Sequence, residues 1–325
     1  MRSDSLNLGE SLSATESLTV VVLTYNEGKH IARCIRSVLQ FANEILVVDA
    51  GSSDDTVEQA RALGARVLRN PWINHATQLN WALSYGEIRT EWVMRLDADE
   101  FVDEMLTRSI LEAVKTASTG IGGFEINRRI RFMGREIKYG GMAPLWVTRL
   151  WRTGWACCEL RWMDEHMVMI RGSVARLSGV IIDENLNSLT WWTQKHNAYA
   201  SREAVDLLVA KYRLELGHSE KGALNWQAAI KRLLKKQVYS RLPLGCRAWL
   251  YFSYRVFLRL GFLDGSRGML FHTLQGLWYR LLVDAKVAEV EDSALQRGCD
   301  IPTAIRDVLG IDLSPPGHTH NVRSP

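Results

Sequence analysis

Nowhere in the 325 residues is there a C-x-x-C pair or any other metal-ligand spacing among the five cysteines, Cys34, Cys157, Cys158, Cys246 and Cys299. Such an odd, scattered set reads as reduced thiols and excludes a disulfide framework or a zinc module. No run supplies the ~20 uninterrupted apolar residues of a membrane span. Residues 1–17, MRSDSLNLGESLSATES, lack the apolar centre of a secretion signal and read as a disordered lead-in. Thiols and lead-in together point to a cytoplasmic protein. Neither G-x-G-x-x-G nor G-x-x-x-x-G-K-[ST] occurs, which counts against a dinucleotide or P-loop enzyme. The net charge of +4 is too small to imply a nucleic-acid partner. Internal repeats and low-complexity linkers are also missing.

What is present is a globular composition, 47% hydrophobic and 23% charged, with enough chain for two domains. Between Leu18 and about Asp103 strand-length apolar runs alternate with helical patterns. LTVVVLTY, EILVVDAG, ARVLRN and EWVMRLD are the strands, continuous and apolar as buried parallel strands are. Ile31, Ile35, Val38 and Leu39 recur at helical spacing, with Asn26 as the expected cap. Ser52, Ser53 and Asp54 offer capping oxygens to the next helix, and Gly64 and Gly86 stand where helices stop. The β-α-β-α-β-α-β order predicts a mostly parallel open sheet flanked by helices. From about Gly122 to Ser178 further strands between glycine turns continue the same sheet in mixed fashion. After Ser188 the chain becomes helical and basic. The expected division is an α/β domain over 18–187, a helical, aromatic-rich region over 188–314 and a disordered tail over 315–325.

In an open parallel sheet, ligands bind beyond the carboxyl ends of the strands. Tyr25-Asn26-Glu27, Asp49 and Asp97-Ala98-Asp99 all fall there, so three polar clusters from separate strands converge on one edge. Asp97 and Asp99 share a face in extended geometry. Two such oxygen donors suit Mg²⁺ or Mn²⁺, a cation that also removes their mutual repulsion; a solvated acidic turn is the plainer alternative. Glu100 points the other way and is expected to cap or anchor the following helix. Asp49 is placed to accept from a base N–H or a ribose hydroxyl, the competing role being a helix cap. Downstream, Asp164, Glu165 and His166 stand together near Trp162. A carboxylate buried beside that indole could have the raised pKa of a general base, and a charged surface turn is the other reading. Residues 231–259 hold eight Lys or Arg and no acid, interleaved with Trp249, Tyr251, Phe252, Tyr254 and Phe257. That composition suits an anionic membrane surface. The alternatives are a helical hairpin with aromatics in its core and charges in water, which is the nearer competitor, and nucleic-acid binding by the same composition, which is the weakest of the three.

The motifs LTVVVLTYNEGKHIARCIRSVL, EILVVDAGSSDDTVEQA and WVMRLDADE, in this order and spacing, resemble glycosyltransferase family 2, nucleotide-sugar-dependent enzymes with a GT-A fold. FLRLGFLDGSRGMLFHTLQGLWYRLLVDAK is similar to the tail of a bacterial subgroup that builds lipopolysaccharide core, capsule or exopolysaccharide. The resemblance implies that Thr24, Tyr25, Asn26 and Glu27 line a nucleotide pocket with Asp49 on the base, and that Gln78 faces the donor. It implies Asp97 near ribose and metal, and Asp99 as the main ligand of a divalent cation on the diphosphate. A carboxylate late in the domain would deprotonate the acceptor; Glu165 is the expected base, with Asp164 beside it as the alternative. His166 is assigned a structural role in preference to a metal or diphosphate contact. The expected protein is an inverting, metal-dependent glycosyltransferase, peripheral on the inner face of a bacterial membrane, elongating a lipid-linked saccharide. A sugar-nucleotide nucleotidyltransferase and a non-catalytic membrane adaptor are the competing classes. The former lacks a Gly-rich, Lys/Arg-bearing loop after its first strand, and the intact Asp97, Asp99 and Glu165 argue against the latter.

Overall fold

The computed structural model describes residues 17–159, 166–214 and 245–313. The chain divides into two units, residues 1–187 with 263–268, and residues 188–262 with 269–325.

In the first unit β1 (Leu18–Thr24), β2 (Glu44–Asp49), β3 (Arg66–Arg69) and β4 (Trp92–Asp97) run parallel in the order β3-β2-β1-β4. They are joined by α1 (Ile31–Val38), α2 (Thr56–Ala62) and α3 (His75–Tyr85). The strands are apolar throughout because both faces are covered. Leu18, Val20 and Val22 of β1 share a core with Ile31, Cys34 and Ile35 of α1, whereas Val21 and Leu23 pack with Ala76 and Leu79 of α3.

The sheet continues as β4-β8-β6-β11-β5, formed by β5 (Glu100–Val102), β6 (Ile121–Phe132), β8 (Leu145–Arg152) and β11 (Ser173–Asp183), with β7 (Arg135–Ile137) paired to β6. The helix α4 (Glu104–Thr116) lies between β5 and β6 in the chain. Here pairing is mixed: β8 is antiparallel to β4 and β6, β11 is parallel to β6, and β5 is antiparallel to β11. This is the expected α/β class in its GT-A arrangement. One stretch departs from the expected continuation: β9 (Ala156–Cys158) and β10 (Met167–Met169) form a separate two-stranded sheet. The reason lies on α3, where Asn80 satisfies both backbone groups of Cys158 as a neighbouring strand would, at 2.9 Å each.

Helix starts also differ from expectation, because the strand-end loops use the capping oxygens elsewhere. Asn26 does not cap α1, which begins at Ile31; its φ of 55° turns the chain away. Ser52 and Ser53 bond the loop after β1, leaving Asp54 alone to accept from the Thr56 N–H at 3.1 Å. Asp103, not Glu100, caps α4, accepting from the Leu106 N–H at 2.8 Å.

The second unit has its core where α5 (Leu189–Tyr212) meets the helices Tyr279–Arg297 and Ile301–Leu309, through Ala200, Ala204, Leu208, Val283, Val287 and Ile305. Residues 231–244 of the basic stretch lie outside the described residues, while 246–258 are helical. No helix among the described residues is long and apolar enough to cross a membrane.

Candidate functional site

Strand register builds the site. Thr24 of β1 stands opposite Asp49 of β2, and Leu23 opposite Asp97 of β4, so three strands deliver their last residues to one level. β11 brings Asp183 opposite Glu100 of β5, and Glu184 donates its N–H to the Asp99 carbonyl at 3.1 Å.

Most of the expected donor-site residues are occupied by one another. Asp49 is fully buried; its Oδ2 accepts from the Gly51 and Ser52 N–H groups at 2.9 and 3.0 Å, a turn made possible by the φ of +96° at Gly51. Its Oδ1 accepts from the Thr24 and Ser52 hydroxyls. Asn26 Oδ1 accepts from the Ser53 N–H at 2.8 Å. Glu27 Oε2 lies 2.6 Å from His30 Nδ1, and His30 Nε2 takes the Leu186 N–H at 2.7 Å. These contacts assign the proton to Nδ1 and make His30 a strut between the loops after β1 and β11. Gln78 is buried with its amide oxygen and nitrogen on Asn70, at 2.7 and 3.1 Å, so it braces the loop after β3. Tyr25 is the exception, 59% exposed at the edge.

The carboxylates of Asp97 and Asp99, alike in sequence, differ in their surroundings. Asp97 Oδ1 accepts from Arg95 Nη2 at 3.1 Å and lies 3.5 Å from His75 Nε2; its Oδ2 accepts from Arg149 Nη2 at 3.1 Å. Burial pushes the Asp97 carboxyl up, but Arg95, Arg149 and His75 outweigh burial and hold it well below the usual carboxylate range. One lone pair on Oδ2 remains for a further donor or a cation. Asp99 is half-buried, and Asn185 Nδ2 donates to its Oδ2 at 3.1 Å. Glu100 is fully buried: Oε1 meets Arg149 Nη2 at 2.7 Å and Arg128 Nε at 2.8 Å, and Oε2 accepts the Asp97 N–H at 3.0 Å. It therefore anchors the turn between β4 and β5, not the following helix.

Arg95, Arg128, Arg149, His75 and Asp183 are site residues that sequence reasoning missed. A signal existed for Arg95, since a charge inside the apolar run WVMRLD needs a buried partner. Asp183 pairs with Arg128 at 2.6 Å. Burial, with Asp99, Glu100 and Asp97 nearby, pushes its carboxyl up to about 7 against the pull of Arg128. The folded chain thus keeps a proton that the unfolded chain loses near pH ~3.9. Stability from this group is present at low pH and is lost as pH rises from about 4 to about 7. The melting temperature of the metal-free protein is expected to fall by a few degrees from pH 5 to pH 8, and Asp183→Asn to flatten that fall. Scanning fluorimetry checks both; an unchanged slope in the variant would exclude Asp183 as the source.

Asp164 and Glu165 lie outside the described residues. On either side of them, Glu159 donates its N–H to the carbonyl of the exposed His166 at 2.9 Å. Among the described residues no group of three or more His, Cys, Asp or Glu forms a metal cage. Mg²⁺ or Mn²⁺ typically takes one or two carboxylates and completes its shell with water and phosphate oxygens; the half-buried Asp99 and the Oδ2 of Asp97 are carboxylate oxygens of that kind.

Comparison with known proteins gives the following. The profile described as Glycosyl transferase family 2 matches residues 19–151. The uncharacterized glycosyltransferase RP128 of Rickettsia prowazekii is 30% identical over 204 residues, 59% of this chain and 68% of that protein. The uncharacterized glycosyltransferase RC0292 of Rickettsia conorii is 39% identical over 98 residues, so that this chain matches about a third of its length, 34%. A solved structure of glucosyl-3-phosphoglycerate synthase from Mycobacterium tuberculosis, in complex with Mn²⁺, UDP and glucosyl-3-phosphoglycerate, aligns with a TM-score of 0.41 at 17% identity, over 68% of this chain and 88% of that one.

Proposed function

Since this chain belongs to glycosyltransferase family 2, we propose that it transfers a sugar from a nucleotide-diphosphate donor to a saccharide acceptor with inversion. One observation carries this reading: Asp99, half-buried and held by the neutral Asn185, is presented at the level where β1, β2 and β4 end together. Asp99 would hold a divalent cation, with the free Oδ2 lone pair of Asp97 turned to the cation or the ribose. Bound there, the cation would neutralise charge on the departing nucleotide diphosphate. Tyr25 offers an exposed ring for the base. The loop set by Asp49, Asn26 and Glu27 is held by hydrogen bonds of its own, which would spare the donor part of the cost of ordering it.

The acceptor hydroxyl attacks the anomeric carbon on the face opposite the nucleotide, and Glu165, or Asp164 beside it, takes the hydroxyl proton. The acceptor in this reading is lipid-linked, met at the inner face of a bacterial membrane in cell-surface polysaccharide or lipopolysaccharide assembly. A panel of nucleotide-sugars, scored for Mn²⁺-dependent thermal stabilisation and slow hydrolysis, tests the donor class; no response to any member would refute it. Glu165→Gln is expected to keep donor binding and lower transfer by about 10²–10⁴-fold. Retained transfer would move the base to Asp164 or elsewhere.

A further inference from the structure

Arg149 carries more hydrogen-bonding capacity than its surroundings use. Its side chain is 6% exposed, and Nη2 alone makes both of its hydrogen bonds, to Glu100 Oε1 at 2.7 Å and to Asp97 Oδ2 at 3.1 Å. Nε and Nη1 are buried with no acceptor among the described residues. A guanidinium has five N–H groups, one of them on Nε and two on each Nη, so most of this one stands idle. Idle donors on a buried charge are costly and call for a reason.

The backbone is distorted to place the group there. Leu150 and Thr148 of β8 stand opposite Phe124 and Glu125, consecutive residues of β6, so Arg149 is the extra residue of a β-bulge. Pairing of β8 with β4 stops at Leu150 opposite Met94, just short of Arg149. A bulge re-aims a side chain, and this one sends the guanidinium to the end of β4, between Asp97 and Glu100. Asp97 has other support: its Oδ1 accepts from Arg95 Nη2 at 3.1 Å, and its side chain is 27% exposed where that of Arg149 is covered. Arg149 can therefore release Asp97 while keeping Glu100, its closer partner. A planar fork of N–H groups suits phosphate oxygens.

We propose that Arg149 is a binding residue for the diphosphate of the donor. As the nucleotide diphosphate and its cation enter, Asp97 Oδ2 passes from Arg149 to the cation. The guanidinium, still held by Glu100, then turns its idle N–H groups to a phosphate oxygen. This rests on the transfer reading above and gives the departing nucleotide a second positive group besides the cation. It also sets two effects of opposite sign. A bare cation at Asp97 meets Arg149 as a like charge, whereas a cation that comes with diphosphate brings the anion Arg149 lacks.

The test uses the full chain with Mn²⁺ alone and with Mn²⁺ and inorganic pyrophosphate, a probe that has the diphosphate without base or sugar. Electron paramagnetic resonance counts bound Mn²⁺, and calorimetry follows pyrophosphate. Arg149→Met should weaken Mn²⁺-dependent pyrophosphate binding by about ten- to hundredfold and should bind Mn²⁺ alone no more weakly than the unaltered protein. Arg149→Lys keeps a cation beside Glu100, which preserves the fold if the methionine variant does not; without the fork it should also lose pyrophosphate affinity. Circular dichroism and melting temperature identify the folded variants. Unchanged pyrophosphate affinity in a folded variant would overturn the assignment. Equal losses of Mn²⁺ and pyrophosphate binding would overturn it too, since Arg149 would then only position Asp97. If the unaltered protein took up no pyrophosphate with Mn²⁺, the donor reading itself would fall, a result distinct from equal binding by protein and variant.

Discussion

Asp99→Ala is expected to lower transfer by three orders of magnitude or more while leaving the fold intact. The side chain is half-buried, and the hydrogen bond to Asn185 Nδ2 at 3.1 Å is a single contact to a neutral group, worth about 1 kcal/mol. Removing Asp99 therefore costs little stability. In the proposed site, however, it removes the carboxylate that holds the cation on the diphosphate, and loss of such electrostatic stabilisation typically costs ~10²–10³ in rate for one donor group alone. Transfer rate, Mn²⁺-dependent affinity for a nucleoside diphosphate and melting temperature should be measured together. Affinity that survives the substitution would show that the cation is held elsewhere.

The opposite signature is expected one residue on. Glu100→Ala should unfold the protein about 10 °C earlier, and activity should be lost with the fold. Glu100 is fully buried, its Oε1 shared by Arg149 and Arg128 and its Oε2 bonded to the Asp97 N–H. Breaking a buried ion pair from one side typically costs ~3–5 kcal/mol, because the remaining charge stays desolvated, and for a unit of this size each kcal/mol moves the melting temperature by about 2–4 °C. Arg149 keeps Asp97 and Arg128 keeps Asp183, which sets the estimate near the lower end. Glu100→Gln retains an acceptor for the Asp97 N–H and should lose less. Urea unfolding measures the difference, and a change below about 1 kcal/mol for the alanine variant would mean the arginines do not depend on Glu100.

These two residues also show what the sequence made legible. Strand and helix alternation could be read because a parallel strand covered on both faces has to be apolar at every position, and convergence at the carboxyl edge follows from the connection rules. The division of labour within RLDADE was only half readable. Alternation separates Glu100 from Asp97 and Asp99, but what separates Asp97 from Asp99 is Arg149, which lies 52 residues away from Asp97 along the chain. An arginine inside an apolar strand signals a buried partner, but which carboxylate Arg149 meets depends on the order of strands in the sheet. The helix caps failed for a related reason, since Asn26, Ser52 and Ser53 are good capping residues that the strand-end loops claimed first. In residues 246–258 the composition was readable and the facing was not: Arg247 and Arg255 are buried and Phe257 and Leu258 exposed, because which side of a helix meets the core is decided by what packs against it.

The strut from His30 to Leu186 and the pair from Arg33 to Glu184 join residues 156 and 151 positions apart. Contacts of that span bear on the order in which the molecule is made. The four parallel strands and their helices are closed by residue 97 and can form from local crossovers, whereas the edge that carries Asp99 has its partners Asp183, Glu184 and Asn185 only once β11 has been added. Loop closure over such distances is paid for late in folding. A chain interrupted before β11 would therefore carry both aspartates of the motif on a nearly formed sheet and still lack the edge that sets Asp99 apart from Asp97.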